Sequence, residues 1–168
     1  MSNHLEDLVA EWLEYSEFFV RKAVLVGRRA KGGFDGELDV VGYNPKSGHV
    51  IHVECSLDSD KWDRREERFT LKFERGRKYI PTLFHDLPED YQLNQVALLG
   101  FGGSQRTELG GGRIVWVQDF IGDILDHLGH KSPAKEAVPS TLPLLRTMQL
   151  AAQRRKSRKC SNTLFGEC

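Results

Sequence analysis

Cysteine is scarce in this chain of 168 residues: Cys55, Cys160 and Cys168 are all there are. Three thiols cannot close into a disulfide set, and none stands in a CxxC pair or beside paired histidines. That argues against a disulfide scaffold and a structural zinc site, and a reducing, cytoplasmic setting is expected. Long apolar runs are missing too, so no membrane-spanning helix is predicted. The opening Ser-Asn-His-Leu-Glu-Asp carries acids where a secretory leader has a basic segment, so no signal peptide is expected. No internal repeat is visible. The glycines between Gly102 and Gly112 lack the Gly-Lys-Ser/Thr ending of a phosphate-cradling loop. Net charge is absent as well, with 24 basic residues against 24 acidic ones.

The zero total hides a polarised distribution. Glu6, Asp7, Glu11, Glu14 and Glu17 all precede the first lysine or arginine, whereas residues 21–31 contain Arg21, Lys22, Arg28, Arg29 and Lys31 and no acid. Residues 61–78 hold eight Lys or Arg against four acids, and 154–159 read Arg-Arg-Lys-Ser-Arg-Lys. Such patches suit a polyanion, and they equally suit solvated faces. With 39% hydrophobic residues, the chain has enough apolar material for one core. One domain over 1–153 is expected, followed by a basic, disordered tail at 154–168.

Periodicity divides the chain into elements. Leu5, Leu8, Val9, Trp12 and Leu13 recur at helical spacing, predicting a helix over 4–16. Strands are predicted at 18–26, 38–43 and 49–56, the last two joined through Asn44-Pro45-Lys46-Ser47-Gly48. A long helix follows over 61–80, capped by Ser59 or Asp60 and stopped by Pro81. Further strands are predicted at 93–101 and 114–117, separated by a flexible glycine-rich loop. Helices capped by Asp119 and running over 142–153 complete the series. The α-β-β-β-α-β-β-α-α order implies an α/β domain with one mixed sheet and helices on both faces. Trp12, Trp62 and Trp116 are expected in its core.

The chemistry concentrates in Gly36-Glu37-Leu38-Asp39-Val40-Val41 and Val50-Ile51-His52-Val53-Glu54-Cys55-Ser56. An acid inside an apolar strand is costly unless it is paired or binds a cation. Two neighbouring strands each carry one, Asp39 and Glu54. Hairpin neighbours lie about 5 Å apart, so both carboxylates can converge on one hard cation such as Mg²⁺ or Mn²⁺. A metal so held can activate water for phosphodiester hydrolysis. The plainer alternative is a structural ion pair of these acids with Arg28, Arg29 or another base. Glu37 and Glu6 read as exposed acids, Cys55 as a core residue, and His49 and His52 as structural residues on opposite strand faces.

These residues resemble the PD-(D/E)XK nuclease superfamily, the restriction-endonuclease-like enzymes. Its pattern is a helix with a Glu, then Gly-Glu-hydrophobic-Asp, then an apolar strand ending Glu-x-Lys, then a helix. Gly36-Glu37-Leu38-Asp39 and Val53-Glu54-Cys55 match it in type, order and spacing, and Glu6 lies where the helical Glu often sits. The resemblance spans roughly residues 4–80, with 93–117 consistent as later strands. It implies a restriction-endonuclease-like mixed sheet flanked by helices, and a metal-dependent endonuclease acting on DNA. Asp39 and Glu54 would be its metal ligands, with the Cys55 carbonyl and Glu6 as further ligands. For a double-strand cutter it also implies a homodimer, although no interface signature is visible.

One position departs from the pattern. The lysine expected two residues past Glu54 is Ser56, so either another residue supplies the charge or catalysis is lost. In the next helix Trp62, Phe69, Phe73 and Ile80 form one stripe, bordered by Arg65 and Lys72, with Lys61, Arg68 and Arg75 beyond. A residue on that border can bend its amine back toward the sheet while its stem packs. Lys72 is therefore the expected replacement, with Arg65 second. Arg65, Arg68, Arg154, Arg155 and Lys156 are the expected nucleic-acid contacts. Without a working replacement, the chain would be an inactive nuclease-fold protein that binds nucleic acid or a protein partner.

Overall fold

The structure is a computed structural model that describes residues 4–84, 86–101 and 105–156, with side chains described as far as 153. In chain order the elements are α1 (His4–Tyr15), β1 (Phe19–Arg28), β2 (Phe34–Asn44), β3 (His49–Ser56), α2 (Trp62–Tyr79), a 3-10 turn (Ile80–Thr82), β4 (Gln92–Leu99), β5 (Glu108–Leu109), β6 (Gly112–Trp116), α3 (Val117–Gly129) and α4 (Pro143–Lys156). The chain is of mixed α/β class, and its strands form one six-stranded sheet of order β1-β2-β3-β4-β6-β5. β1, β2 and β3 run as an antiparallel meander, β3, β4 and β6 are parallel, and β5 returns antiparallel on β6. The β3–β4 step needs a crossover because parallel neighbours cannot be joined by a tight turn, and α2 supplies it.

Alternation along β4 divides the two faces. Val96 and Leu98 pack with Leu5, Val9, Ala10 and Leu13 of α1, together with Val40 and Val53. Ala97 and Leu99 turn the other way, onto Phe69 and Phe73 of α2. A side-chain period of two sends neighbouring residues to opposite faces, so one apolar strand serves both layers. Ile80, where α2 passes into the 3-10 turn, closes a third cluster with Val24, Val26, Leu38, Val41 and Val50. Near these strands the fold forms a compact unit, Met1–Ile121, and the chain from Gly122 onward forms a second one. Within the second unit, Gln149 accepts from the Val138 N–H (3.0 Å) and donates to the Glu136 carbonyl (2.9 Å). Gln153 donates to the Lys131 carbonyl (3.0 Å), so α4 ties down the connector before it.

Several local expectations are corrected. Neither Ser59 nor Asp60 caps α2: its N-cap is Lys61, with no side-chain cap bond. The Asp60 carboxylate is taken instead by Arg68 at 2.9 Å, a charged partner outbidding a helix amide. Asp119 does not cap α3, which starts at Val117 and keeps Asp119 in its first turn, where an acid suits the helix dipole. Val117 and Phe120 pack on the core below α1, which draws the helix start back toward β6. The glycine stretch holds a tight hairpin: Gly110 and Gly111, at φ 58° and 82°, turn β5 into β6. The three tryptophans are only half-buried. Trp62 and Trp116 still pack against the Phe69–Phe73 cluster, and Trp62 also carries guanidinium groups, Arg65 at 5.3 Å and Arg106 at 5.1 Å from its ring centroid. α4 continues through Lys156, three residues past the predicted end. The expected tail beyond 156 and the side chains of Arg154, Arg155 and Lys156 lie outside the described residues.

Candidate functional site

The β2–β3 ladder runs from Asn44–His49 down to Val40–Val53 and stops there. Continuing its register would set Asp39 directly opposite Glu54. At that point side chains take over the hydrogen bonding between the strands. The Cys55 N–H donates to Asp39 Oδ2 at 2.9 Å, and the Asp39 N–H reaches Glu54 Oε1 at 3.4 Å. A strand residue turns its N–H and C=O to the same neighbour, so the Cys55 carbonyl also faces β2. Both acids lie on the α2 side of the sheet, Asp39 at 7% exposure and Glu54 at 0%.

Lys72 reaches them from α2. Its Nζ lies 3.1 Å from each oxygen of Asp39 and donates a short bond to Glu54 Oε2. Three residues from three elements thus meet at one point, and the helix contributes the base that β3 lacks. Burial alone would lower the Lys72 pKa, but Glu54 and Asp39 together hold it above the usual lysine range. Neither Arg28 nor Arg29, the alternative partners for the acids, reaches them; Arg29 pairs with Asp35 at 3.0 Å.

The two acids differ in state. Asp39 is pushed up to about 7, by burial first and then by the Glu54 charge, and Lys72 only partly offsets this. Glu54 is more deeply buried, yet lies below its usual range. Burial raises it, and the His52 hydrogen bond and the Lys72 ammonium outweigh that rise. His52 is fully buried, with Nε2 2.6 Å from Glu54 Oε1. On the far side of the ring, Gln95 Nε2 stands 3.1 Å from Nδ1 and 2.9 Å from the Phe73 carbonyl. Gln95 Oε1 accepts from Arg77 at 2.6 Å. With its amide donating, Gln95 makes Nδ1 the acceptor and leaves the ring proton on Nε2, aimed at Glu54. A Cβ on Gly76 would come within 2.3 Å of His52 Nδ1, so glycine in the last turn of α2 is what lets the ring lie against the helix.

His52 and Gln95 are the site residues that sequence reading missed. His52 carried a usable signal, standing two residues before Glu54 on the same strand face. Gln95 carried none, because it arrives from β4 through the parallel pairing His52–Gln95. Glu6 was read as an exposed acid and is buried, at 8% exposure. Its charge is felt at Cys55, whose thiol is pushed up by burial, then by Asp39 and then by Glu6. Among the described residues, no three His, Cys, Asp or Glu side chains are grouped to share an ion.

The position of the missing lysine is filled by a separate network. The Ser56 hydroxyl donates to Asp58 Oδ2, and Arg68 bonds Ser56 Oγ at 3.2 Å as well as Asp58 and Asp60. Arg65, 2% exposed, donates to the Asp58 and Phe101 carbonyls, the latter at 3.0 Å. Arg65 is therefore not placed to meet a nucleic acid from solvent, nor to stand in for Lys72. Arg68 is half-exposed, with its guanidinium already engaged by two carboxylates.

The donor set suits a hard divalent cation. Two carboxylates and a strand carbonyl offer oxygen alone, which matches Mg²⁺, an ion that keeps water on its remaining positions. Charge points the same way: two buried carboxyl groups share one ammonium, and with Asp39 pushed up to about 7 they do not both carry full charge near neutrality. Compared with known proteins, no family model matches the chain and no curated protein matches it. Among the described residues no helix is long and apolar enough to cross a membrane.

Proposed function

We propose that this chain is a Mg²⁺- or Mn²⁺-dependent endonuclease that hydrolyses phosphodiester bonds in DNA, built on a restriction-endonuclease-like core. The single observation that carries the reading is the meeting of Asp39, Glu54 and Lys72 with one acid in surplus. A structural ion pair would balance its charges; here burial first, and then the Glu54 charge, push Asp39 up to about 7, and Lys72 only partly offsets them. The helix, three-strand meander, crossover helix and parallel strand are the order this nuclease core requires.

Asp39 and Glu54 would hold the ion, with the Cys55 carbonyl as a third oxygen. The ion would supply an acidified water and a positive charge against the phosphate. His52 keeps the Glu54 carboxylate in one orientation. The Lys72 ammonium, already at the carboxylates, is placed to swing onto the phosphate and stabilise the charge that grows on its oxygens. Desolvation keeps that interaction strong.

The test is a cleavage assay with Mg²⁺ or Mn²⁺ on linear, branched and single-stranded substrates. Metal-dependent cutting is expected on at least one. Absence of cutting on every substrate, with no rise in melting temperature on adding either metal, sinks the proposal. The second reading, an inactive nuclease-fold protein binding nucleic acid or a protein partner, is favoured by one feature. Lys72 contacts both acids and thereby occupies their convergence point. Nucleic-acid or partner binding without metal binding would establish it.

A further inference from the structure

One turn beyond Lys72 on α2 lies a cavity of about 210 Å³ between the helix and the β1–β2 hairpin, lined in part by Arg29, Asp35, Arg75, Lys78 and Tyr79. Most of its charges answer one another. Asp35 accepts from the Tyr79 hydroxyl and from Arg29 Nε at 3.0 Å, and Lys78 Nζ stands 3.8 Å away. The Tyr79 bond, then Arg29, hold the Asp35 carboxyl below its usual range, so it is ionised. Arg75 is different: it is half-buried, and its side chain has no hydrogen bond or ion pair with any described residue. Its side chain lies flat over Gly36, where a Cβ would be 2.8 Å from Cδ and 3.1 Å from Nη1. The missing side chain at Gly36 is what admits the guanidinium to the surface of β2.

A half-buried cation without a partner is costly, and an anion from outside removes the cost. We infer that this cavity is a phosphodiester-binding subsite, with Arg75 as its main contact and Arg29 and Lys78 at its rim. Charge selects the class of ligand. Three cations against Asp35 and Glu74 leave one positive charge, which matches the single charge of a phosphodiester and not a nucleoside polyphosphate. Position selects the source. Arg75 follows Lys72 by three residues on α2, about 4.5 Å of helix rise. Gly36 precedes Asp39 by three on β2, about 10 Å of strand. A phosphate held at Arg75 would therefore belong to the strand being cut, close to the reacting one. The inference rests on the nuclease reading for that source.

Duplex DNA binding, followed by fluorescence anisotropy across a salt series in EDTA, tests it. Arg75→Gln is expected to lower the slope of log affinity against log salt by about one contact, and to weaken binding equally on unrelated sequences. Arg75→Lys should keep the slope and lose affinity, since a point charge replaces the planar fork. The Mg²⁺-induced rise in melting temperature, read on the same proteins, reports on Asp39 and Glu54 alone. A rise with an unchanged slope and affinity in Arg75→Gln overturns the subsite and leaves the nuclease. A reduced slope with no rise and no metal-dependent cutting overturns the nuclease and leaves the subsite. A parent that binds no duplex overturns the subsite outright. If Arg75→Gln does not fold, Arg75→Lys decides, and parental affinity in that variant overturns the inference.

Discussion

Two ionic networks lie along the same side of α2, one at its N-terminal turn and one at its middle, and they are built oppositely. At the N-terminal turn Asp58 and Asp60 face Arg64, Arg65 and Arg68, three bases for two acids. Burial raises the Asp58 pKa, but the Ser56 hydroxyl, the Asp60 amide and Arg68 overcome it and hold the carboxyl at about 2. At the middle, Asp39 and Glu54 face Lys72 alone, and Asp39 stands at about 7. Residue types and distances are alike, yet the first network is satisfied and the second is one cation short. A satisfied network holds a loop to a helix; a deficient one is where the proposed metal ion would be held. This difference, more than the presence of acids, separates a strut from a site.

The largest expected effect comes from removing the deficit itself. Asp39→Ala should abolish the rise in melting temperature produced by Mg²⁺ or Mn²⁺, because only a bound native state is stabilised by mass action. Cleavage should fall with it by about 4 kcal/mol of barrier, on the order of a thousandfold. Without metal the variant should melt no lower than the parent, since one of two repelling carboxylates has gone. A metal response equal to the parent's would show that the ion lies elsewhere.

The satisfied network should fail in the opposite manner. Arg65→Ala leaves Asp58 and the Phe101 carbonyl without their buried partner and should cost about 3 kcal/mol in urea unfolding. The increment from added metal should be unchanged. Loss of the metal increment in this variant would mean that the two networks act as one.

Lys72→Ala should slow cleavage by about a hundredfold, the scale of losing one transition-state donor, while metal binding survives. Restoring the amine by Ser56→Lys would set it against the Arg68 guanidinium, 3.2 Å from Ser56 Oγ. Recovery is therefore expected only when Arg68→Ala is added. A Lys72→Ala protein that cuts at the parental rate removes the lysine from the mechanism.

The smallest effect is in pH dependence, and its sign separates the two networks again. Folding raises the Asp39 pKa from 3.8 to about 7, so the native state binds that proton more tightly. In EDTA its contribution to stability is full below about 4 and is lost as pH climbs to about 7. Asp58 is lowered from 3.8 to about 2, so its contribution is present above about 4 and lost as pH falls toward 2. Melting temperature measured across pH should show both slopes, and Asp39→Asn should flatten only the upper one. The proton on Asp39 also competes with the cation, so the Mg²⁺ increment should be larger at pH 8 than at pH 6.

Much of this was legible in the chain. The alternation around Asp39 and Glu54 placed an acid in each of two neighbouring strands, and the helical stripe of Phe69, Phe73 and Ile80 put Lys72 on the border facing them. Helix and strand periods are local properties, so α1, β3 and α2 could be bounded closely from sequence. Caps were misplaced because Asp60 had a stronger suitor in Arg68, a choice made eight residues away. Glu6 was misread because the flank of a helical stripe is buried or exposed according to what packs over it.

By itself the sequence determined the helices and five of the six strands, their order, and which residue types faced each layer, since these follow from backbone periods and the cost of burying charge; the short β5 (Glu108–Leu109) was read as loop. Only the tertiary structure decided which charges meet. Lys72 and Arg65 border the same stripe on the same helix. One was delivered to two acids and the other to a loop carbonyl and Asp58. Gln95 came to His52 through a strand pairing forty-three residues long in sequence. The β2–β3 register, which sets Asp39 opposite Glu54, is likewise a product of assembly. Partner choice depends on distances fixed by the packing of α2 on the sheet, and a linear pattern carries periods but no distances between elements.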